Sequence, residues 1–325
     1  MERQPTVSVI IVNYNSGSLL SKVLRSLDRQ SFKDFCVVIV DNASTDESLA
    51  CIRSPYTFAL EIIKSPENVG FAAANNLAAR SQNTKYVLFL NPDAFPEDDF
   101  LENIVLVAER MLNYQLFSPL LMSADDPEII DGLGDVYHYS GLVWRDGHGE
   151  NASASPAHDV EIFSPCAAAA LIRGSVFREL GGFDEDFFCY LEDVDLGFRA
   201  RLLGYRSLLV HGVRVWHMGS AITGRNSDFS LYHGHRNLVW TFVKNMPGGL
   251  FWLLLPAHVA LNIFSIIWFS LRGRGRIIMK AKIDALRGIP KMWRKRRELQ
   301  HERRASALAI WRSVDKRVFR HKAGR

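Results

Sequence analysis

At 325 residues the chain can form one large or two modest domains, and its formal net charge of +4 hides an uneven distribution. Residues 272–325 hold 19 Lys/Arg against 4 Asp/Glu, whereas the first 271 hold 20 against 31, so an acidic body carries a basic tail. Cys36, Cys51, Cys166 and Cys189 lack metal-type pairing and no secretory pattern leads into the first apolar run, which argues against a disulfide-stapled secreted domain and predicts reduced thiols.

In chain order, Val7 to Val12 is a β-branched run interrupted only by Ser8. It is followed by Asn13-Tyr14-Asn15 and then by Leu19, Leu20, Val23, Leu24 and Leu27 on one helical face: strand, polar turn, helix. The unit repeats at Cys36 to Val40, which ends in Asp41-Asn42-Ala43-Ser44-Thr45-Asp46, where Asp46 and Glu47 open a short helix. A third strand, Leu60 to Lys64, leads through Asn68-Val69-Gly70-Phe71 into an Ala-rich helix over 72–80 that carries Asn75 and Asn76. The fourth, Tyr86 to Leu90, has no polar alternation and stops at Asn91-Pro92-Asp93, the pattern of a central strand buried on both faces.

This rhythm predicts an α/β fold with a mostly parallel central sheet flanked by helices. Ligands bind such sheets outside the carboxyl ends of the strands, an edge that collects Tyr14, Asp41, Gly70, Asn75 and Asp93. The set supplies an aromatic to stack on a base, a carboxylate for base or ribose, and a glycine for close backbone approach. Asp93 is either a metal or phosphate contact or the cap of a helix starting near Glu97. With no glycine-rich dinucleotide turn and no P-loop, a metal held by Asp93 is the simplest means of neutralising a diphosphate.

Periodicity fades from Ser123 to Ala157, where Tyr137, Tyr139 and Trp144 either stack on a ligand or pin a loop to the core. Residues 160–173 read as a strand, with Ala167 to Ala170 small enough for close approach. Six acids then fall within residues 184–195, among aromatics, an arrangement that calls for a cation or a titrating role. Arg199, one turn after Asp195, pairs with it and leaves Asp193 free, and the strand Leu208 to Trp216 delivers His217 at its end. Gly248 to Leu271 is apolar apart from Pro256, His258, Asn262 and two serines, long enough to cross a bilayer or to lie in its interface, the alternative being a buried core helix. The basic run directly behind it makes an anionic membrane surface, not nucleic acid, the expected partner.

The ordered set of motifs resembles family 2 glycosyltransferases of the GT-A fold, in the bacterial rhamnosyltransferase-like branch. It comprises Val12-Asn13-Tyr14-Asn15, Asp41-Asn42-x-Ser44-x-Asp46, Asn68-x-Gly70-Phe71-x-x-x-Asn75, Asn91-Pro92-Asp93, Gly182-Phe183-Asp184-Glu185-x-Phe187-Phe188, Glu192-Asp193-x-Asp195, His217 and His235-Arg236-Asn237. The resemblance implies a nucleoside-diphosphate sugar donor, with Tyr14 and Asp41 at the base and Asn13, Asn15, Asn42, Gly70, Asn75 and Asn91 on the same side. It implies that Asp93 and His217 hold a divalent cation, Mg²⁺ or Mn²⁺, that Arg236 approaches the leaving diphosphate, and that Asp193 is the catalytic base of an inverting displacement. Asp184 and Glu192 fall on the acceptor side. Asn91 departs from the family's Asp-x-Asp pattern, one charge short, which points it toward ribose.

The expected organisation is a catalytic domain over residues 1–245 and an apolar helix with a basic membrane-associated tail over 246–325. The positive-inside rule puts that tail on the cytoplasmic face of the cell membrane, peripheral or monotopic, with Trp252 and Trp268 at the interface, near a lipid-linked saccharide acceptor. Two rivals remain at this stage: a nucleotidyltransferase, which usually needs a basic phosphate-binding loop that residues 13–21, without Lys or Arg, do not supply, and a non-catalytic membrane-bound scaffold, for which Asp93, Asp193 and His217 have no use together.

Overall fold

The computed structural model describes residues 4–53, 55–219 and 227–317. The first half runs β1 (Val7–Asn13), α1 (Ser18–Asp28), β2 (Phe35–Asp41), β3 (Ala59–Lys64), α2 (Gly70–Ser81), β4 (Tyr86–Leu90), β5 (Ala94–Pro96), α3 (Phe100–Arg110) and β6 (Leu116–Ser123). Then come β7 (Ile130–Gly132), β8 (Asp135–Tyr137), β9 (Val143–Arg145), β10 (Val160–Ile162), β11 (Ala169–Arg173), α4 (Gly174–Glu179), α5 (Glu192–Leu202) and β12 (Ser207–His217). The chain closes with α6 (Asp228–Asn245), α7 (Gly248–Leu271), α8 (Gly275–Glu302) and α9 (Ala307–Ser313).

The main sheet has the order β10-β12-β6-β11-β4-β1-β2-β3. Strands β3, β2, β1 and β4 are parallel, and so are β6 and β12; β11 runs antiparallel between β4 and β6. Every residue of β1 and β4 is buried, as unbroken apolar runs require when helices cover both faces. On one face Leu20, Val23, Leu24 and Leu27 of α1 join Val9, Ile11 and Leu88. On the other, the alanines of α2 let the helix lie close against Ile10, Val38 and Phe89.

The structure departs from expectation in four stretches. Asp46 opens no α-helix: its carboxylate takes the backbone N–H of Gly17 at 2.8 Å and the Ser48 hydroxyl at 2.6 Å, which leaves only a 3₁₀ turn at Leu49–Cys51. Asp93 caps no helix, because β5 intervenes and α3 starts at Phe100. Residues 160–173 form two strands, since Pro165 interrupts the ladder and β10 pairs with β12 while β11 pairs with β4 and β6. The weakly periodic segment 123–157 holds β7, β8 and β9, whose three-residue strands are too short to register as period-two patterns.

Helices α7 to α9 share a core with the sheet domain. Tyr137, Phe163, Phe198, Phe242, Phe251, Leu254, Met292 and Ile310 belong to one buried cluster, so the division at 245 separates two parts of one packed body. Along α7, Phe251, Leu254, His258 and Ser265 face inward; His258 stacks on Phe242 at 4.0 Å and its Nδ1 lies 2.8 Å from the Ser140 carbonyl. The outer side bares Trp252, Leu253, Ile263, Phe264, Ile267 and Leu271, and among the described residues this is the one helix long and apolar enough to cross a membrane. The last eight residues of the expected basic tail, 318–325, lie outside the described residues.

Candidate active site

A cleft of about 860 Å³ opens where β1, β2 and β4 end. Tyr14, Asn42, Gly70, Asn91, Asp93, Glu192, Asp193 and His217 all line it. Tyr14 is 40% exposed, which leaves its ring face open to a ligand.

Behind this wall the turns brace one another. Asn13 is fully buried and its Nδ2 donates to Asp41 Oδ1 at 2.8 Å, Ser44 Oγ at 3.0 Å and Ser48 Oγ at 2.8 Å. Asn15 bridges to the same turn, its Oδ1 accepting from the Thr45 N–H at 2.8 Å. Asn42 donates to Asn68 Oδ1 at 2.9 Å and accepts from the Val69 N–H at 2.9 Å, which fixes the approach to Gly70. Gly70 has φ +85°, and a Cβ there would come within 2.5 Å of the Phe188 ring, so the position requires glycine.

Three residues that the resemblance assigned to ligands have side chains committed elsewhere. Asn75 Nδ2 donates to the Phe71 carbonyl of its own helix at 2.9 Å. Arg236 lies over Trp240 at 4.2 Å and donates to the Asp186 and Phe187 carbonyls at 3.1 and 2.9 Å. Asp184 is buried against Lys244 Nζ at 2.6 Å and also meets Lys295. Burial alone would raise the Asp184 carboxyl; the charges of Lys244 and Lys295 overturn that and hold it well below the usual carboxylate range.

The six-acid run divides by partner. Asp186 pairs with Lys291 at 2.6 Å, Glu185 with Arg80 at 2.6 Å, and Asp195 with Arg199 at 2.8 Å and Lys244 at 2.7 Å. Only Glu192 and Asp193 carry no ion pair among the described residues, and both face the cleft. Asp193 is held by the Ala167 N–H on Oδ2 at 3.0 Å and the Val194 N–H on Oδ1 at 2.8 Å. Its neighbours Glu192 and Asp135 are pushed well above the carboxylate range by burial first and by the charge of Asp193 second, so the cluster bears fewer charges than carboxyls.

The loop before α5 is strained: Phe188, Tyr190 and Leu191 have φ of 64°, 69° and 65°, each costing about 1–3 kcal/mol for a residue with a Cβ. Asn237 holds it, donating from Nδ2 to the carbonyls of Phe187, Cys189 and Tyr190 at 2.9, 3.0 and 2.7 Å. Such strain collects at functional sites.

On the opposite wall His217 Nε2 lies 3.4 Å from Asp93 Oδ1, too long for a good hydrogen bond, and is a buried nitrogen without a hydrogen-bond partner among the described residues. Its Nδ1 meets Asp131 Oδ2 at 2.7 Å, which in the neutral ring leaves the Nε2 lone pair directed past Asp93. Burial works to lower the His217 pKa, but its contacts with Asp131 and Asp93 raise it above the ordinary value. Burial likewise works to raise Asp131; the His217 hydrogen bond and the Arg145 charge, with Arg145 Nη1 at 2.6 Å, hold it at about 2. A carboxylate, an orphaned imidazole nitrogen and a buffered second carboxylate fit a divalent cation. Asp135, Cys166 and Asp193 also bring ligand atoms within 4.8 Å of one another, but Arg145 Nη2 occupies the Cys166 sulfur at 2.8 Å and burial keeps the thiol protonated. That set suits a hard cation poorly.

Asp131, Asp135, Arg145, His148 and Cys166 line the cleft without having stood out in the sequence. The available signal was the glycine spacing beside the two acids: a Cβ on Gly132 would sit 2.3 Å from the Arg145 side chain, and Gly134 has φ +95°. Tyr137, by contrast, is pinned in the core against Phe163 and Phe198 at 5.3 and 4.9 Å.

Residues 8–150 match the Glycosyl transferase family 2 model. An N-acetylglucosaminyl-diphospho-decaprenol L-rhamnosyltransferase of Mycobacterium tuberculosis (strain ATCC 25618 / H37Rv) is 26% identical over 279 residues, 78% of this chain and 88% of that one. Rhamnosyltransferase WbbL of Escherichia coli (strain K12) is 28% identical over 225 residues, 65% of this chain and 81% of its own. Among solved structures, a mannosyltransferase from Pyrobaculum calidifontis in complex with GDP-Man and Mn²⁺ superposes with a TM-score of 0.56 at 20% identity, over 96% of this chain and 88% of the other. Together with the cleft at the carboxyl edge of a GT-A sheet, these likenesses mark the chain as a glycosyltransferase whose residues 8–150 carry the family 2 pattern and which is similar to rhamnosyltransferases.

Proposed function

We propose that the enzyme moves a sugar, rhamnose being the leading candidate, from a nucleoside-diphosphate donor to a lipid-linked saccharide in cell-envelope polysaccharide synthesis, with inversion at the anomeric carbon. The observation that carries this reading is that Glu192 and Asp193, alone of the six clustered acids, lack ion pairs among the described residues and face the cleft shared with Tyr14, Asp93 and His217.

The donor base stacks on Tyr14, the backbone at Gly70 lets the nucleotide approach, and Asn91 meets the ribose. Asp193 takes the proton from an acceptor hydroxyl, whose oxygen attacks the anomeric carbon as the nucleoside diphosphate leaves. Its two backbone N–H contacts fix the carboxylate's orientation, and burial together with the Asp193 charge pushes the Glu192 and Asp135 carboxyls beside it upward, toward the neutral form. Asp93 and His217 are the residues that would hold Mg²⁺ or Mn²⁺, which supplies positive charge against the diphosphate. The decaprenol-linked substrate of the mycobacterial relative and the bare apolar side of α7 support a lipid-linked acceptor and a monotopic seat on the cytoplasmic leaflet.

Nucleoside diphosphate release from a panel of sugar nucleotides, headed by a nucleoside-diphosphate rhamnose, tests the activity. Asp193→Asn is expected to retain donor affinity while turnover falls by at least ~10²-fold, the lower range for a general base. Near-normal turnover in that variant would refute the assignment.

A further inference from the structure

Beside the active-site cleft lies a second cavity of about 650 Å³, and the two share Val143, Tyr190 and Leu191 as a common wall. Its far side is the end of α7, with Phe269, Arg272 and Arg274, and its floor includes Leu142, Leu238 and His235. The strained residues Tyr190 and Leu191 thus face both cavities.

The cavity is apolar on one side and cationic on the other. Arg272 stacks on Trp268 at 3.5 Å and pairs with no carboxylate among the described residues, while Arg274 keeps a loose 3.8 Å contact with Asp228. Behind His235 stands Lys282, 6% exposed, whose Nζ donates to the His235 carbonyl at 2.9 Å and has no carboxylate partner among the described residues. Burial lowers the Lys282 pKa to about 7, and an anion in the neighbouring cavity favours its charged form. Leu271, just before Arg272 at the end of α7, is 82% exposed.

Resting on the reading that the acceptor is lipid-linked, we propose that this second cavity is the acceptor portal. A polyprenyl diphosphate enters from the membrane past the end of α7. Its diphosphate lies between Arg272 and Arg274, its first isoprene units lie on Leu142, Leu238 and Phe269, and its sugar reaches Asp193 across the Tyr190–Leu191 wall. Charge complementarity and the wall shared with the reaction cleft select the same occupant.

Farnesyl diphosphate, which carries the isoprene and the diphosphate but no sugar, is the binding probe, used on the full-length protein with the donor site filled by nucleoside diphosphate. Wild-type protein is expected to bind it more tightly than inorganic diphosphate or farnesol. Arg272→Ala/Arg274→Ala should weaken it by about 10-fold or more, the scale of one charge-assisted hydrogen bond. Leu142→Asp, at a position 39% exposed and therefore tolerant, should weaken it as well. Affinities within about 2-fold of wild type in both variants, or equal binding of inorganic diphosphate, would overturn the portal. Sugar transfer to a polyprenyl-diphosphate saccharide is measured separately. Arginine-dependent probe binding without any such transfer would sink the acceptor reading and leave the portal standing, whereas transfer without arginine-dependent binding would sink the portal alone.

Discussion

Asp131 is the residue on which the His217 wall turns. It accepts from His217 Nδ1 and from Arg145 at once, so its carboxylate stays charged at about pKa 2 and fixes the imidazole by its far nitrogen. Carboxylates in this position orient a ligating histidine and raise its basicity. Asp131→Asn preserves the shape and removes the charge; Mn²⁺ affinity, followed by titration calorimetry in the presence of nucleoside diphosphate, should fall by about 10–100-fold. An unchanged Mn²⁺ affinity would mean that His217 faces no metal. Asp93→Ala tests the same centre from the other side and should abolish metal binding and turnover together.

The loop from Gly182 to Leu191 is clamped from three elements: Asn76 of α2 through the Phe183 backbone, Asn237 of α6, and Lys291 and Lys295 of α8. The Asp184 share of that clamp has a definite pH signature. Its folded pKa lies below the unfolded value near 4, so the stabilisation is complete above about pH 4 and is lost as pH falls through the folded value. Urea unfolding should therefore show stability dropping on acidification below pH 4 in the wild type, with a shallower drop in Asp184→Asn. At pH 7 the same substitution should cost on the order of 3 kcal/mol, the low end for breaking a buried pair, because Lys244 keeps Asp195. A variant as stable as wild type at pH 7 would show that the clamp is dispensable. The strands β1 to β4 and their polar turns were legible in sequence because unbroken apolar runs ending in Asn or Asp are local patterns. So was the Asp195–Arg199 pair, set by helical spacing alone. The roles of Arg236 and Asp184 were not, since only the fold brings Arg236 onto the 186–187 carbonyls and Lys295 onto Asp184. Asp131 and Asp135 were missed for a related reason: β7 and β8 are three residues long and display no period.

At the scale of the whole molecule, the inward side of α7 is occupied by its packing on the body, and its outward side presents a band of tryptophan, phenylalanine, leucine and isoleucine beside a basic α8. Basic side chains near an anionic leaflet contribute about 1 kcal/mol each, and the apolar band adds burial. The protein should sediment with vesicles containing anionic lipid and much less with zwitterionic ones. Ile263→Ser/Phe264→Ser/Ile267→Ser, all on the exposed side, should leave it in the supernatant with the same thermal midpoint. Retention of full vesicle binding in that triple variant would exclude α7 as the membrane seat. The clamp of α8 on the loop at 184–186 also has a consequence in time. A chain emerges from the ribosome amino end first, so the sheet and its cleft are made well before Lys291 and Lys295 exist. The loop that carries the acidic pair acquires its last supports only after the whole of α7 has left the exit tunnel. An unfinished chain thus has the sheet edge but not the completed loop, which is finished only after α7 has been made.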